Sequence, residues 1–115
     1  MPSKSEYAAL VDIQHYTEVA TRIVGSQSYE NFLHDEVKFL AVTRCLEIIS
    51  EASRRLSEGM KSKHSHIEWV KIAAAGNVYR HDYEMIDTNQ VWETVQLALP
   101  KLLSVVEAEL KAWSI

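Results

Sequence analysis

The segment Tyr29–Ser57, YENFLHDEVKFLAVTRCLEIISEASRRLS, decides the fold, because it is long, periodic and free of glycine and proline. Leu33, Val37, Leu40, Ala41, Ile48, Ala52 and Leu56 recur at the spacing of an apolar helix face. A half-buried strand would instead alternate at every second residue. The spacing predicts one long helix from about Tyr29 to Ser57, bent or broken near His34 and ended by Gly59. At 100° per residue, Arg44, Glu47 and Glu51 fall within about 60° of one another, in the sector of Leu33, Val37 and Leu40. Charges along the edge of an apolar face are costly unless paired. They are read either as ion pairs on a partly solvated helix, or as a polar cluster facing another helix or subunit.

Three more helices extend outward from this one. The first runs from about Ser5 to Ile23, with Leu10, Ile13, Tyr16 (or Thr17) and Ala20 on one face and Gly25–Ser26 as its stop. After Gly59, MKSKHS reads as a polar connector. The third helix is expected to start at Ser65, where SHIE offers a capping box with Glu68, and to carry Trp69, Ile72 and Ala73 inward. The fourth starts near Asp87, where DTNQ places Gln90 for a similar cap. Pro100 should kink it or divide it in two, since proline removes a backbone donor and crowds the preceding turn. The fold class predicted is all-α, an up-and-down bundle of four or five helices in one domain spanning residues 1–115.

Composition narrows the function. A chain of 115 residues with 47% apolar residues, three glycines and two prolines is globular. Cys45 is the single cysteine, so an internal disulfide and a cysteine-rich metal site are excluded, and a small buried hydrophobe is its expected role. His64 and His66 form an H-x-H without a visible third ligand, and are read as solvated loop residues with no metal. No stretch approaches 18 apolar residues and the N-terminus lacks a signal-like core, which predicts a cytoplasmic protein without membrane contact. A net charge of −4 argues against bulk electrostatic binding of nucleic acid, so any RNA chemistry needs a local basic patch.

The densest run of titratable groups is AAAGNVYRHDYEMID, Ala73–Asp87. Asn77 and His81, four apart, share a helix face, and Arg80 can lean back over Gly76. A titratable imidazole, a fixed cation and the phenol of Tyr83 lie within a small area, suited to proton transfer beside a phosphate or to holding a nucleotide. The plainer reading makes His81 a helix-end residue answering the dipole, Arg80 the partner of Glu84, and Tyr83 a half-buried aromatic. A glycine inside a helix costs about 1 kcal/mol relative to alanine, so Gly76 requires a compensating reason.

Taken in order, AVTRCLEIISEASRRL, IEWVKIAAAGNVYRHDYEMID, VW and LPKLL resemble the HepT-like toxin family of the HEPN superfamily, the toxin component of MNT/HEPN toxin–antitoxin systems. The resemblance covers most of the chain, from Phe32 to Leu103. It implies a dimerising helical bundle, a homodimer or higher homo-oligomer, that cleaves RNA at a site shared between subunits, with no metal or other cofactor. The family motif is an arginine, four to six residues and a histidine, often with a polar residue after the arginine and a tyrosine two beyond the histidine. Asn77, His81 and Tyr83 match these positions. The arginine does not, for Gly76 stands where it would be, and Arg80 is the nearby cation.

The resemblance implies His81 as general acid or base, Arg80 stabilising phosphate charge, Asn77 holding the phosphate or orienting His81, and Arg44, Glu47 and Glu51 positioning them. It also implies a nucleotidyltransferase antitoxin, MntA-like, that adds AMP to Tyr83. Gly76 either opens space for Arg80 to replace the missing arginine, or lets two subunit helices pack closely around an inactive site. The alternative functions are a non-catalytic nucleotide- or partner-binding module and a plain dimerisation domain.

Overall fold

A computed structural model describes residues 3–113. The elements are α1 (Lys4–Val24), α2 (Tyr29–Leu33), α3 (Glu36–Ser53), α4 (Glu58–Lys63), α5 (Trp69–His81), a 3-10 turn (Tyr83–Met85), α6 (Thr88–Glu93), a π-helical turn (Thr94–Ala98) and α7 (Leu99–Trp113). No strand occurs among the described residues, so the all-α expectation holds. The middle of the bundle is α3, packed against α1 on one side and α5 on the other, while α7 packs on α1.

Local chemistry explains the boundaries. Ser3 and Glu6 form a reciprocal capping box at the start of α1. Gly25 ends the helix at a φ of 56°, in the left-handed region that favours glycine, and its N–H returns to the Thr21 carbonyl. The expected break at His34 is real. His34 caps the C-terminus of α2, and the Asp35 carboxylate then accepts the Lys38 N–H to start α3.

Three expectations need correction. First, α3 ends at Ser53 rather than running to about Ser57, and MKSKHS is not a plain connector. Ser57 caps a short helix, α4, whose second residue is Gly59. Second, Ser65 does not cap the third helix. Its N-cap is Glu68, without a side-chain cap bond, and the Trp69 indole N–H pins the preceding loop through the Lys61 and His64 carbonyls. Third, the buried face of α3 is only in part the predicted one: Ala52 and, just past the helix, Leu56 are buried as expected. Phe32 of α2 and Val42, Cys45, Leu46, Ile49 and Ala52 of α3 enter the core, whereas Leu33, Val37 and Leu40 are exposed. The break at Asp35 separates Leu33 from α3, and the helix carries two apolar stripes of which one faces outward.

The fourth segment starts at the expected Asp87 N-cap, but its carboxylate accepts the Asn89 N–H and no capping box with Gln90 forms among the described residues. Proline divides it. Immediately before Pro100 the Leu99 N–H bonds to the Thr94 carbonyl, five residues back, so a π turn separates α6 from α7. The wider turn gives the proline ring room where an α-helix would press it on a carbonyl. Leu99, Leu102, Val105 and Val106 then close the core.

Candidate functional site

The crossing of α3 and α5 builds the site. Gly76 is buried there, and its N–H lies 3.0 Å from the Ser50 hydroxyl oxygen. The same hydroxyl donates to the Ala73 carbonyl at 3.1 Å, which also accepts the Arg54 guanidinium at 2.7 Å. A Cβ on residue 76 would stand 2.5 Å from Ser50 Oγ and 3.0 Å from Ser50 Cβ. Glycine is therefore required by close approach of two helices of the same chain. The idea that it serves packing between subunits is corrected by its burial against α3.

Arg80 does lean back over Gly76, with Nη2 3.7 Å from where that Cβ would be. Its destination is α3 rather than Asn77 and His81. Nε donates to Glu47 and Nη2 to Glu51, each at 3.1 Å. Glu47 also accepts Arg44 at 2.9 Å. The expected partner Glu84 lies past the end of α5, in the 3-10 turn, so the Arg80–Glu84 pair does not form. Burial pushes the Glu47 carboxyl upward, but hydrogen bonds from Arg44 and Arg80 outweigh it and hold it below the usual carboxylate range. Both readings of the α3 charges thus hold in part: Arg44–Glu47 is a same-helix pair, and the cluster also faces another helix.

These groups surround an open basin of about 360 Å³ lined by Arg44, Glu47, Ile48, Glu51, Arg55 and Arg80. Arg55, bonded to Asp12 at 2.9 Å, was not singled out from sequence. Its signal was there: four residues after Glu51, it continues the same helix face. Ser50 carried no such signal, because its role depends on a residue 26 positions away.

Asn77 and His81 lie exposed on α5, and neither side chain has a hydrogen bond or ion pair among the described residues. Helix spacing puts them one turn apart on one face. Tyr83 sits in the 3-10 turn beyond, 42% exposed, with its ring edge-on to Phe39 at 6.4 Å. The structure thus places Arg44, Glu47, Glu51 and Arg80 together, and leaves Asn77 and His81 outside that cluster with free side chains.

Two other candidates resolve differently. Cys45 is buried, and desolvation raises its thiol pKa, as suits a small hydrophobe. His64, expected to be solvated, is half-buried with Nε2 3.5 Å from Glu109, while His66 is exposed. Among the described residues no group of three or more His, Cys, Asp or Glu is placed to hold a metal ion. No helix among them is long and apolar enough to cross a membrane.

Comparison with known proteins places the site in context. The family model described as "Ribonuclease HepT-like" matches residues 13–109. The chain is 30% identical over 111 residues to "Putative RNase MJ1216" of Methanocaldococcus jannaschii, covering 96% of this chain and 92% of that one. It is 33% identical over 93 residues to "Probable ribonuclease HepT" of Thermococcus cleftensis, covering 81% and 84%. Over 75 residues it is 36% identical to "Putative RNase TTE0752" of Caldanaerobacter subterraneus, covering 65% and 67%. No solved structure gives a significant match. With most of its length matched by the family model and by relatives named as ribonucleases, the chain belongs to the HepT-like ribonuclease family.

Proposed function

We propose that this chain is a HepT-like toxin that cleaves RNA without a metal, by attack of a ribose 2′-OH on the adjacent phosphorus. The P–O5′ bond breaks, leaving a 2′,3′-cyclic phosphate and a 5′-hydroxyl. His81 takes the proton of the 2′-OH or gives one to the departing 5′ oxygen. Asn77, one turn away, holds a phosphate oxygen or orients the imidazole. Arg80 supplies the fixed cation for charge developing on the phosphate. The observation that carries the reading is the exposed, unpartnered Asn77 and His81 on one face of α5.

The exposed Leu33, Val37 and Leu40 support assembly with a second copy, which would complete and shelter a site that is open in one chain. Regulation by a nucleotidyltransferase that adds AMP to Tyr83 fits a phenol that is exposed two residues from His81. If the reading is right, expression of the chain arrests growth and His81→Ala abolishes the arrest at equal protein level. Growth arrest by His81→Ala as strong as by the wild type would sink it.

A second reading has its own support. Arg80 is held by two carboxylates, Glu47 and Glu51, so its charge is largely compensated, and the motif arginine is absent. This favours a non-cleaving module that binds the nucleotidyltransferase partner and presents Tyr83. That module would be harmless when expressed and would co-purify with its partner.

A further inference from the structure

A second cavity, of about 270 Å³, opens between α5, the 3-10 turn and α6. It lies on the side of α5 away from Gly76, next to the Asn77–His81 face. Ala74 and Ala75 contribute only methyl groups to it, leaving a slot along the helix. Val78 and Met85 line it and are 38% and 73% exposed, so apolar surface faces solvent in a concave place. The half-buried Tyr79, the exposed Gln90 and Asp87, whose carboxylate already accepts the Asn89 N–H, bring the polar side chains. Neither the Tyr79 hydroxyl nor the Gln90 carboxamide has a hydrogen bond among the described residues. Lys71, paired with Glu68 at 2.8 Å, adds a cation at the far end of the slot.

This combination selects a ligand class. An aliphatic chain would cover Val78 and Met85 but leave the carboxamide and the phenol unsatisfied. A fully polar ligand would satisfy those groups and leave the apolar walls wet. A flat heteroaromatic ring with donors and acceptors on its edge answers both, and its attached phosphate suits an ammonium at the end of the slot. Position points the same way. Val78 follows Asn77 directly and precedes His81 by three residues, and Lys71 lies about 15 Å from His81 along the helix axis. A strand laid along α5 would thus pass both places.

Building on the ribonuclease reading above, we infer that this slot is a base-recognition subsite. It takes one unstacked nucleobase of the RNA strand next to the bond placed at His81, and Gln90 and Tyr79 read the edge of that base. The subsite gives the enzyme a preference at one position, since a side-chain amide discriminates among bases by its donor and acceptor pattern.

The test uses the full-length His81→Ala protein, which leaves RNA intact under that reading. Short single-stranded oligo(A), oligo(C), oligo(G) and oligo(U) are titrated into it while amide resonances are followed by NMR. The subsite predicts shifts at Val78, Tyr79, Met85 and Gln90, with one homopolymer preferred about tenfold over the weakest. In Gln90→Ala and Tyr79→Phe, both checked for unchanged folding, that preference should collapse. Shifts around Asn77 with none in the slot would overturn the subsite and leave the cleavage reading standing. Shifts in the slot alone would keep the subsite and count against cleavage beside His81. No shift at either place, or a base preference unchanged in both slot variants, would overturn the subsite.

Discussion

A methyl group at position 76 would collide with Ser50, whose side chain is buried and held in place by bonds to α5. Alanine would gain helix propensity of about 1 kcal/mol, yet overpacking at a buried crossing costs about 1–3 kcal/mol. Gly76→Ala should therefore lower the thermal unfolding midpoint by several degrees. Gly76→Arg, which rewrites the family motif, should be worse, because its stem must pass the same atoms. An equal or higher midpoint for Gly76→Arg would show that Ser50 yields and that the crossing does not explain the glycine. Arg80 is testable separately. Arg80→Ala removes partners from Glu47 and Glu51, an exposed network worth no more than about 1 kcal/mol to folding. If Arg80 supplies the phosphate cation, the same change should abolish cleavage while barely altering stability, and full activity would exclude that role. The sequence made Arg80 and Gly76 legible as neighbours on one helix. It could not show the partners on α3, which are 33 and 29 residues away.

Helix content and several boundaries were legible because caps and breakers are local. Gly25, Asp87 and Pro100 each act within one or two turns of themselves. The phase of α3 was not legible. Its two apolar stripes have the same period, and only packing against α1 and α5 decides that Val42, Leu46 and Ile49 go inward. A long-range tie of this kind also fixes α4. The buried Glu6 carboxylate of α1 accepts the Ser57 N–H at 2.7 Å, just where α4 begins. That backbone hydrogen bond holds the Glu6 pKa below its ordinary value, against a smaller upward push from burial. A depressed carboxylate stabilises the fold fully above its unfolded pKa of about 4.3, and the contribution is lost as pH falls through the lower folded value. Glu6→Gln should therefore cost about 1–2 kcal/mol in urea unfolding at neutral pH. The difference from the wild type should narrow below about pH 4. A difference that stays constant down to the acid transition would mean that the charge of Glu6 is not what matters.

At the scale of the molecule, the stripe Leu33, Val37 and Leu40 is one apolar surface the fold leaves uncovered, with Val37 76% exposed. In the proposed assembly Leu40→Glu should convert an oligomer to a monomer by light scattering and reduce RNA cleavage, while helix content stays unchanged. A wild type that is already monomeric at micromolar concentration would contradict this. The family was legible from ordered motifs spread along the chain, and the model matching residues 13–109 agrees with it. The working site was legible only as a list of residues. Whether Asn77, His81 and Arg80 act together depends on what a second copy or an RNA strand brings to an open face, and one chain does not encode that locally. The central claim is metal-independent cleavage by His81. Its most direct test is incubation of a single-stranded RNA with the purified protein in EDTA, beside equally folded His81→Ala, followed by analysis of the product ends. Cleavage by the wild type alone, with 2′,3′-cyclic phosphate ends, is the predicted result. No cleavage by either protein, or equal cleavage by both, would contradict the account.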